Sequence, residues 1–271
     1  MNSKKEVILL KLGGSLLTDK NQPFSIRKDV VKSAVQQVID ANVKLILIHG
    51  GGSFGHPLAK RYNITKGLDN SIPDQILGLT QTHQSMNKFN SYLINLFLEK
   101  KYPTLSIQSS SIFIRDSSQI VTNSINVIET ALDLNILPIL YGDIILDKDG
   151  SFSIISGEQI IFKLCENLKK YNVSKVIFTM ETDGLFVTKN NKEKGYLLLK
   201  ECTCDELDLL NLADMGQKTD VTGGIQGKLN FIKKICKYKI PVQLINGLHK
   251  GYILKSLRNQ ELNGTNILVN E

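Results

Sequence analysis

Residues 45–57 read LILIHGGGSFGHP. Leu45 to Ile48 form an apolar run without polar alternation, the pattern of a strand buried on both faces of a parallel sheet. The run empties into Gly50, Gly51 and Gly52, followed by Ser53, Phe54, Gly55 and His56. Glycines here allow the backbone to come close to a ligand and turn its N–H groups toward an anion. The same cluster also suits a tight strand-to-helix turn. Two similar loops elsewhere in the chain favour the phosphate cradle.

The first of these follows an apolar strand, Val7 to Leu12, and runs Lys11-Leu12-Gly13-Gly14-Ser15, with Lys20 a few residues on. The other is Asp220-Val221-Thr222-Gly223-Gly224-Ile225-Gln226-Gly227-Lys228, opening a helix. Helix N-termini and glycine amides stabilise anions, and lysines add full positive charge. It is not a P-loop: the segment Gly224 to Lys228 is too short for G-x-x-x-x-G-K-[ST], and Leu229 stands where the magnesium-binding hydroxyl would be. No strand is followed by G-x-G-x-x-G, so a dinucleotide-dependent dehydrogenase is unsupported.

Between the loops, apolar periodicity predicts helices over 26–39, 74–100, 124–134, 225–238 and 252–257. On the long helix, Ile76, Leu79, His83, Met86, Phe89, Asn90, Leu93 and Phe97 fall near one stripe. Strands are predicted over 104–108, 136–141, 175–179, 242–245 and 266–269. Segments 144–146 and 152–155 flank the turn Asp147-Lys148-Asp149-Gly150 as a hairpin. Ser156 and Gln159 fit a capping box that opens a helix to Lys170. Strands alternating with helices predict an α/β chain, an open three-layer αβα sandwich with a mostly parallel central sheet. Two lobes divide it best, 1–172 and 173–271, within one continuous fold.

The 271 residues can bury a substantial core. No apolar run approaches the ~20 residues of a membrane span, and residues 1–14 lack a signal-peptide pattern, so a cytoplasmic protein is expected. Among the four cysteines there is no C-x-x-C pair, and Cys202 with Cys204 has no matching histidine spacing, so reduced structural thiols are expected. The net charge of +7 is spread among acids and not interleaved with aromatics, which suits a polyanionic small substrate at least as well as nucleic acid.

The ordered set KLGGSLLTDK, IHGGGSFGHP, GEQI, TDG and DVTGGIQGK resembles the amino acid kinase superfamily over nearly the whole chain, and within it the isopentenyl phosphate kinases. The resemblance implies ATP as donor, Mg²⁺ as assisting ion with no protein-borne metal site, isopentenyl phosphate as acceptor and a homodimer. It also implies roles. Lys11, Gly13, Gly14 and Ser15 would bind nucleotide phosphates, and Lys20 would stabilise the transferring phosphoryl group. Gly51, His56 and Gly157 would hold the acceptor, and Gly52 would serve the nucleotide side. Asp183, Gly224 and Lys228 would bind ATP, while Glu158 would hold the lysines in position. One departure is visible: Met180-Glu181-Thr182-Asp183-Gly184 stands where relatives usually show T-D-x-D-G.

That set of residues suits phosphoryl transfer, in which catalysis is mostly positioning and charge neutralisation. An acceptor that is already an oxyanion needs no general base, so this reading does not require the catalytic aspartate of a sugar or protein kinase. Alternatives are a kinase for another phosphate or phosphonate, of the fosfomycin kinase type, and a catalytically silent nucleotide-binding regulator. His49 is expected to orient the glycine loop, His83 to be structural, and Met86 and neighbours either to pack in the core or to line a pocket for a short prenyl tail.

Overall fold

The computed structural model describes residues 4–19, 21–122, 124–188, 195–213 and 224–269. The first strand, β1 (Lys5–Leu12), sends Val7 and Leu9 into one hydrophobic core and Ile8, Leu10 and Leu12 into another. β2 (Leu45–His49) does the same, with Ile46 and Ile48 on one side and Leu45 and Leu47 on the other. Side chains alternate along a strand, so an unbroken apolar run requires cover on both faces.

Between these strands lie α1 (Gly14–Leu17) and α2 (Lys28–Ala41). After β2 come α3 (Gly52–Arg61), α4 (Gln75–Glu99), β3 (Thr104–Ser106), α5 (Ser109–Ile112) and the hairpin β4 (Phe113–Asp116) and β5 (Gln119–Thr122). Then follow α6 (Asn126–Asp133), β6 (Leu137–Tyr141), the hairpin β7 (Asp143–Leu146) and β8 (Phe152–Ile155), and α7 (Gly157–Asn167). The last part holds β9 (Tyr171–Met180), the hairpin β10 (Leu185–Thr188) and β11 (Tyr196–Leu199), and β12 (Glu201–Thr203). It closes with α8 (Gly224–Cys236), β13 (Val242–Asn246), α9 (Tyr252–Leu257) and β14 (Gly264–Leu268).

Eight strands form one sheet in the order β12-β14-β13-β9-β1-β2-β6-β3. Pairing is parallel from β13 through β3, and β14 runs antiparallel to β13. Helices α2, α4 and α9 supply one core, through residues such as Val35, Phe89 and Ile253, and α6, α7 and α8 supply the other, through Ile128, Ile161 and Ile232. The result is the expected three-layer αβα sandwich. The division at 172/173 falls inside β9, which pairs with β1 in the middle of the sheet.

Several expectations are corrected. Ile76 is 54% exposed and leaves the α4 stripe; Gln75 takes the buried position, its amide donating to the Tyr62 and Gly67 carbonyls and accepting from the Asp69 amide. The helix expected to reach Lys170 ends at Asn167, where the buried Glu129 carboxylate accepts the amides of Lys169 and Lys170 and turns the chain into β9. Hairpins β4–β5 and β10–β11 were not legible as strands. Cys204 and Cys236 are joined as a disulfide, with Cα atoms 6.4 Å apart, while Cys165 and Cys202 are free. That pairing joins residues 32 apart in sequence, a closeness the fold creates.

Candidate active site

Parallel strands aim their carboxyl ends at one edge of the sheet, where ligands gather at the loops that follow. Lys11, near the end of β1, is 7% exposed, and its Nζ donates to Glu158 Oε1 at 2.7 Å. Lys228, on the second turn of α8, donates to the same oxygen at 2.9 Å and lies over the Phe178 ring, 5.1 Å from its centroid. Two cations 217 residues apart therefore share one buried carboxylate. Burial opposes ionisation of Glu158, but the attraction of Lys11 and Lys228 and their hydrogen bonds outweighs it and holds the carboxyl well below the usual range. Glu158 is placed on the first turn of α7 by the expected capping box: Ser156 Oγ accepts the Gln159 amide and Gln159 Oε1 accepts the Ser156 amide.

A cavity of about 360 Å³ opens beside this cluster, and Lys11, Gly14, Gly51, His56, Gly157 and Glu158 are among its lining residues. Its other walls include Ala59, Met86, Ile144 and Ile154, with Thr82, Arg115 and Asp143 among them. The Met86 side chain reaches the cavity, whereas Phe89 on the same stripe is fully buried and stacks on Phe54 with centroids 4.9 Å apart. The first two glycine loops interlock: a Cβ on Gly14 would lie 2.3 Å from the Gly52 nitrogen, so backbone meets backbone with no room for a side chain.

The remaining residues singled out from the sequence fall as follows. Gly13 is the residue before α1, its amide donating to Thr179 Oγ1 at 3.2 Å, and Ser15 is in α1. Gly52 opens α3 and His56 sits in its second turn. Gly224 is the first residue of α8. Lys20 and the loop segment 220–223 lie outside the described residues. Asp183 stands apart from the cavity, where its Oδ1 accepts from Asn246 Nδ2 and His249 Nε2, each at 2.9 Å. His249 packs against Tyr252, with ring centroids 4.7 Å apart. Nothing local in the sequence linked His249 to Asp183; the adjacency comes from β13 pairing with β9. The Glu181 departure also has a physical account: its longer side chain accepts from Arg27 at 2.9 Å, tying the β9 loop to the residue before α2.

His49 is fully buried beneath the second loop, Nδ1 3.2 Å from the Gly50 carbonyl and Nε2 3.2 Å from Asn90 Oδ1. Burial pushes its pKa down to about 4, so it stays neutral and orients the loop. His83 Nδ1 lies 2.8 Å from Asp143 Oδ1, and Asn87 faces its other nitrogen while accepting the Tyr141 hydroxyl. The hydrogen bond to Asp143 raises the His83 pKa against the opposing effect of burial. Among the described residues, no group of three or more His, Cys, Asp or Glu is arranged to hold a metal ion, and no helix is long and apolar enough to cross a membrane.

An αβα sandwich that brings two lysines onto one carboxylate beside interlocked glycine loops has the make-up expected of a phosphotransferase. The chain matches the amino acid kinase family over residues 6–246. It is 31% identical to the isopentenyl phosphate kinase of Methanothermobacter thermautotrophicus, covering 96% of this chain and 98% of that protein. The isopentenyl phosphate kinase of Methanocaldococcus jannaschii is also 31% identical, over 96% and 97%. A solved isopentenyl phosphate kinase structure superposes with a TM-score of 0.80 at 28% identity, covering 97% of this chain and all of that one. A UMP kinase from Bacillus anthracis, TM-score 0.65 at 14% identity, shares the fold. The chain belongs to the amino acid kinase family, on its isopentenyl phosphate kinase branch.

Proposed function

We propose that the protein transfers the γ-phosphoryl group of ATP to isopentenyl phosphate, giving isopentenyl diphosphate and ADP. The observation that carries this reading is the shared contact of Lys11 and Lys228 with Glu158 at the edge of a cavity that also holds Gly51, His56 and Gly157. The names of the two 31% identical relatives support the acceptor.

In this reading residues 173–271 contribute Asp183, Gly224 and Lys228 to the nucleotide, and residues 1–172 contribute the acceptor-binding residues Gly51, His56 and Gly157. Lys11 and the amides of Gly13, Gly14 and Ser15 hold the donor phosphates, with Gly52 on the same side. His56 donates to the acceptor phosphate, and Lys20 offsets charge on the group in flight. Glu158 stays ionised and keeps both lysine ammonium groups aimed at one place. An acceptor oxygen that is already anionic attacks without a base, so catalysis is alignment plus charge neutralisation. Mg²⁺ bound with ATP would supply charge neutralisation to the transferred phosphoryl group. The apolar wall of Met86, Ile144 and Ile154 takes the five-carbon tail. The protein works in the cytoplasm as a homodimer.

An ADP-release assay with ATP, Mg²⁺ and a panel of acceptors tests this: isopentenyl phosphate, fosfomycin, UMP and buffer alone. Turnover should favour isopentenyl phosphate by orders of magnitude. Preference for fosfomycin would replace the acceptor, and ATP binding without any turnover would indicate a silent regulator.

A further inference from the structure

Two polyanions must meet in line at this site, so the spacing between the donor-side and acceptor-side loops is itself part of the catalytic apparatus. One side chain touches both loops. Thr18 is fully buried; its Oγ1 donates to the Gly14 carbonyl at 2.8 Å and accepts the Ser53 amide at 2.9 Å. A hydroxyl can do both because it carries one donor and two acceptor lone pairs. The fit around it is close: Gly52 has φ +48°, and a Cβ there would lie 2.0 Å from Thr18 Oγ1.

Ser53 extends the same connection. Pro57 has no N–H to offer the Ser53 carbonyl one turn back in α3, and that carbonyl accepts the Phe24 amide at 3.1 Å instead. Ser53 Oγ donates to the Ser25 carbonyl at 3.1 Å and accepts the Ser25 amide at 3.2 Å. The segment after α1 is thereby attached to the acceptor-side loop on one side and, through Thr18, to the donor-side loop on the other.

We infer that Thr18 is a positioning residue for phosphoryl transfer: its hydroxyl, bonded to Ser53, sets the separation of the Gly14 loop from the loop that carries Gly51 and His56, and hence of the two phosphates. This rests on the assignment of those loops to donor and acceptor. Thr18 touches neither substrate, so its loss acts on kcat and spares binding. Val removes the hydroxyl while conserving shape, and Ser restores it.

The test is steady-state kinetics on Thr18→Val, Thr18→Ala and Thr18→Ser, well below each variant's melting temperature, with His56→Ala run alongside. Thr18→Val and Thr18→Ala should lower kcat about 10–100-fold, the scale of a misplacement near 1 Å, with KM for ATP and for isopentenyl phosphate changed by less than about threefold. Thr18→Ser should return kcat to within about threefold of the parent. If His56→Ala is impaired toward the acceptor but a folded Thr18→Val retains the parental kcat, the positioning role is wrong. Loss expressed only in KM, or failure of both hydroxyl-free variants to fold while Thr18→Ser folds, would also overturn it. Unimpaired His56→Ala would instead remove the loop assignment beneath it.

Discussion

Replacing Glu158 by Gln keeps the shape of the side chain and deletes its charge, leaving Lys11 and Lys228 facing one neutral amide. The parent makes charge-assisted bonds of 2.7 and 2.9 Å to a single oxygen on a side chain only 10% exposed. A hydrogen bond to a charged group contributes about 1.5–3 kcal/mol. Removing one partner of a buried ion pair costs about 3–5 kcal/mol, because the uncompensated charge remains. Glu158→Gln should therefore lower unfolding stability by about 3–5 kcal/mol, a large share of the roughly 5–15 kcal/mol typical of a folded protein. With a urea m-value of about 3 kcal/mol/M for a chain of this size, the midpoint should fall by about 1–1.7 M. Linkage supplies a second check. The folded-state pKa of Glu158 is depressed, so its contribution is present above the ordinary carboxylate pKa of about 4.3 and is lost as pH falls below it. The stability gap between parent and variant should narrow between pH 6 and pH 3.5. A midpoint shift under about 0.2 M, or a gap independent of pH over that window, would refute the clamp.

His56→Ala should lower kcat/KM for the acceptor about 10–100-fold, the value of a hydrogen bond to a charged phosphate, with ATP affinity measured by calorimetry unchanged. Gly52→Ala should lose more than about 2 kcal/mol in thermal or urea unfolding, since the new Cβ meets Thr18 Oγ1 and the Gly14 carbonyl at a positive φ. The raised pKa of His83 contributes stability that is complete below the ordinary histidine value of about 6.5 and disappears as pH rises through the folded-state value. Urea midpoints of the parent should therefore fall across that window relative to His83→Gln, and parallel profiles would show that the Asp143 pair contributes nothing.

Elements with a local signature were legible beforehand. The apolar run 45–48, the glycines behind it, the 147–150 hairpin turn and the Ser156/Gln159 capping box each report their structure within a few residues, because periodicity and turn chemistry act over one or two turns of chain. The β4–β5 and β10–β11 hairpins were missed, since their short strands lack a strong alternating pattern and take their place from neighbouring elements. Ile76 misled for a related reason: it is apolar at a helical spacing, yet Gln75 is buried because loop carbonyls and an amide await its side chain.

The sequence by itself determined the fold class and, through its motifs, the family; the phosphate-binding roles proposed for the glycine loops start from the same motifs. Only the tertiary structure decided which of them meet. Lys11, Glu158 and Lys228 converge because β1 lies between β2 and β9, with α7 and α8 packed over that face. The same order brings His249 to Asp183, and the contact of the two glycine loops gives Thr18 its two partners. Apart from the local Thr18–Gly14 bond, these contacts span tens to more than a hundred residues, and the strand order that creates them is a property of the assembled sheet, for which no local stretch of chain carries a signal.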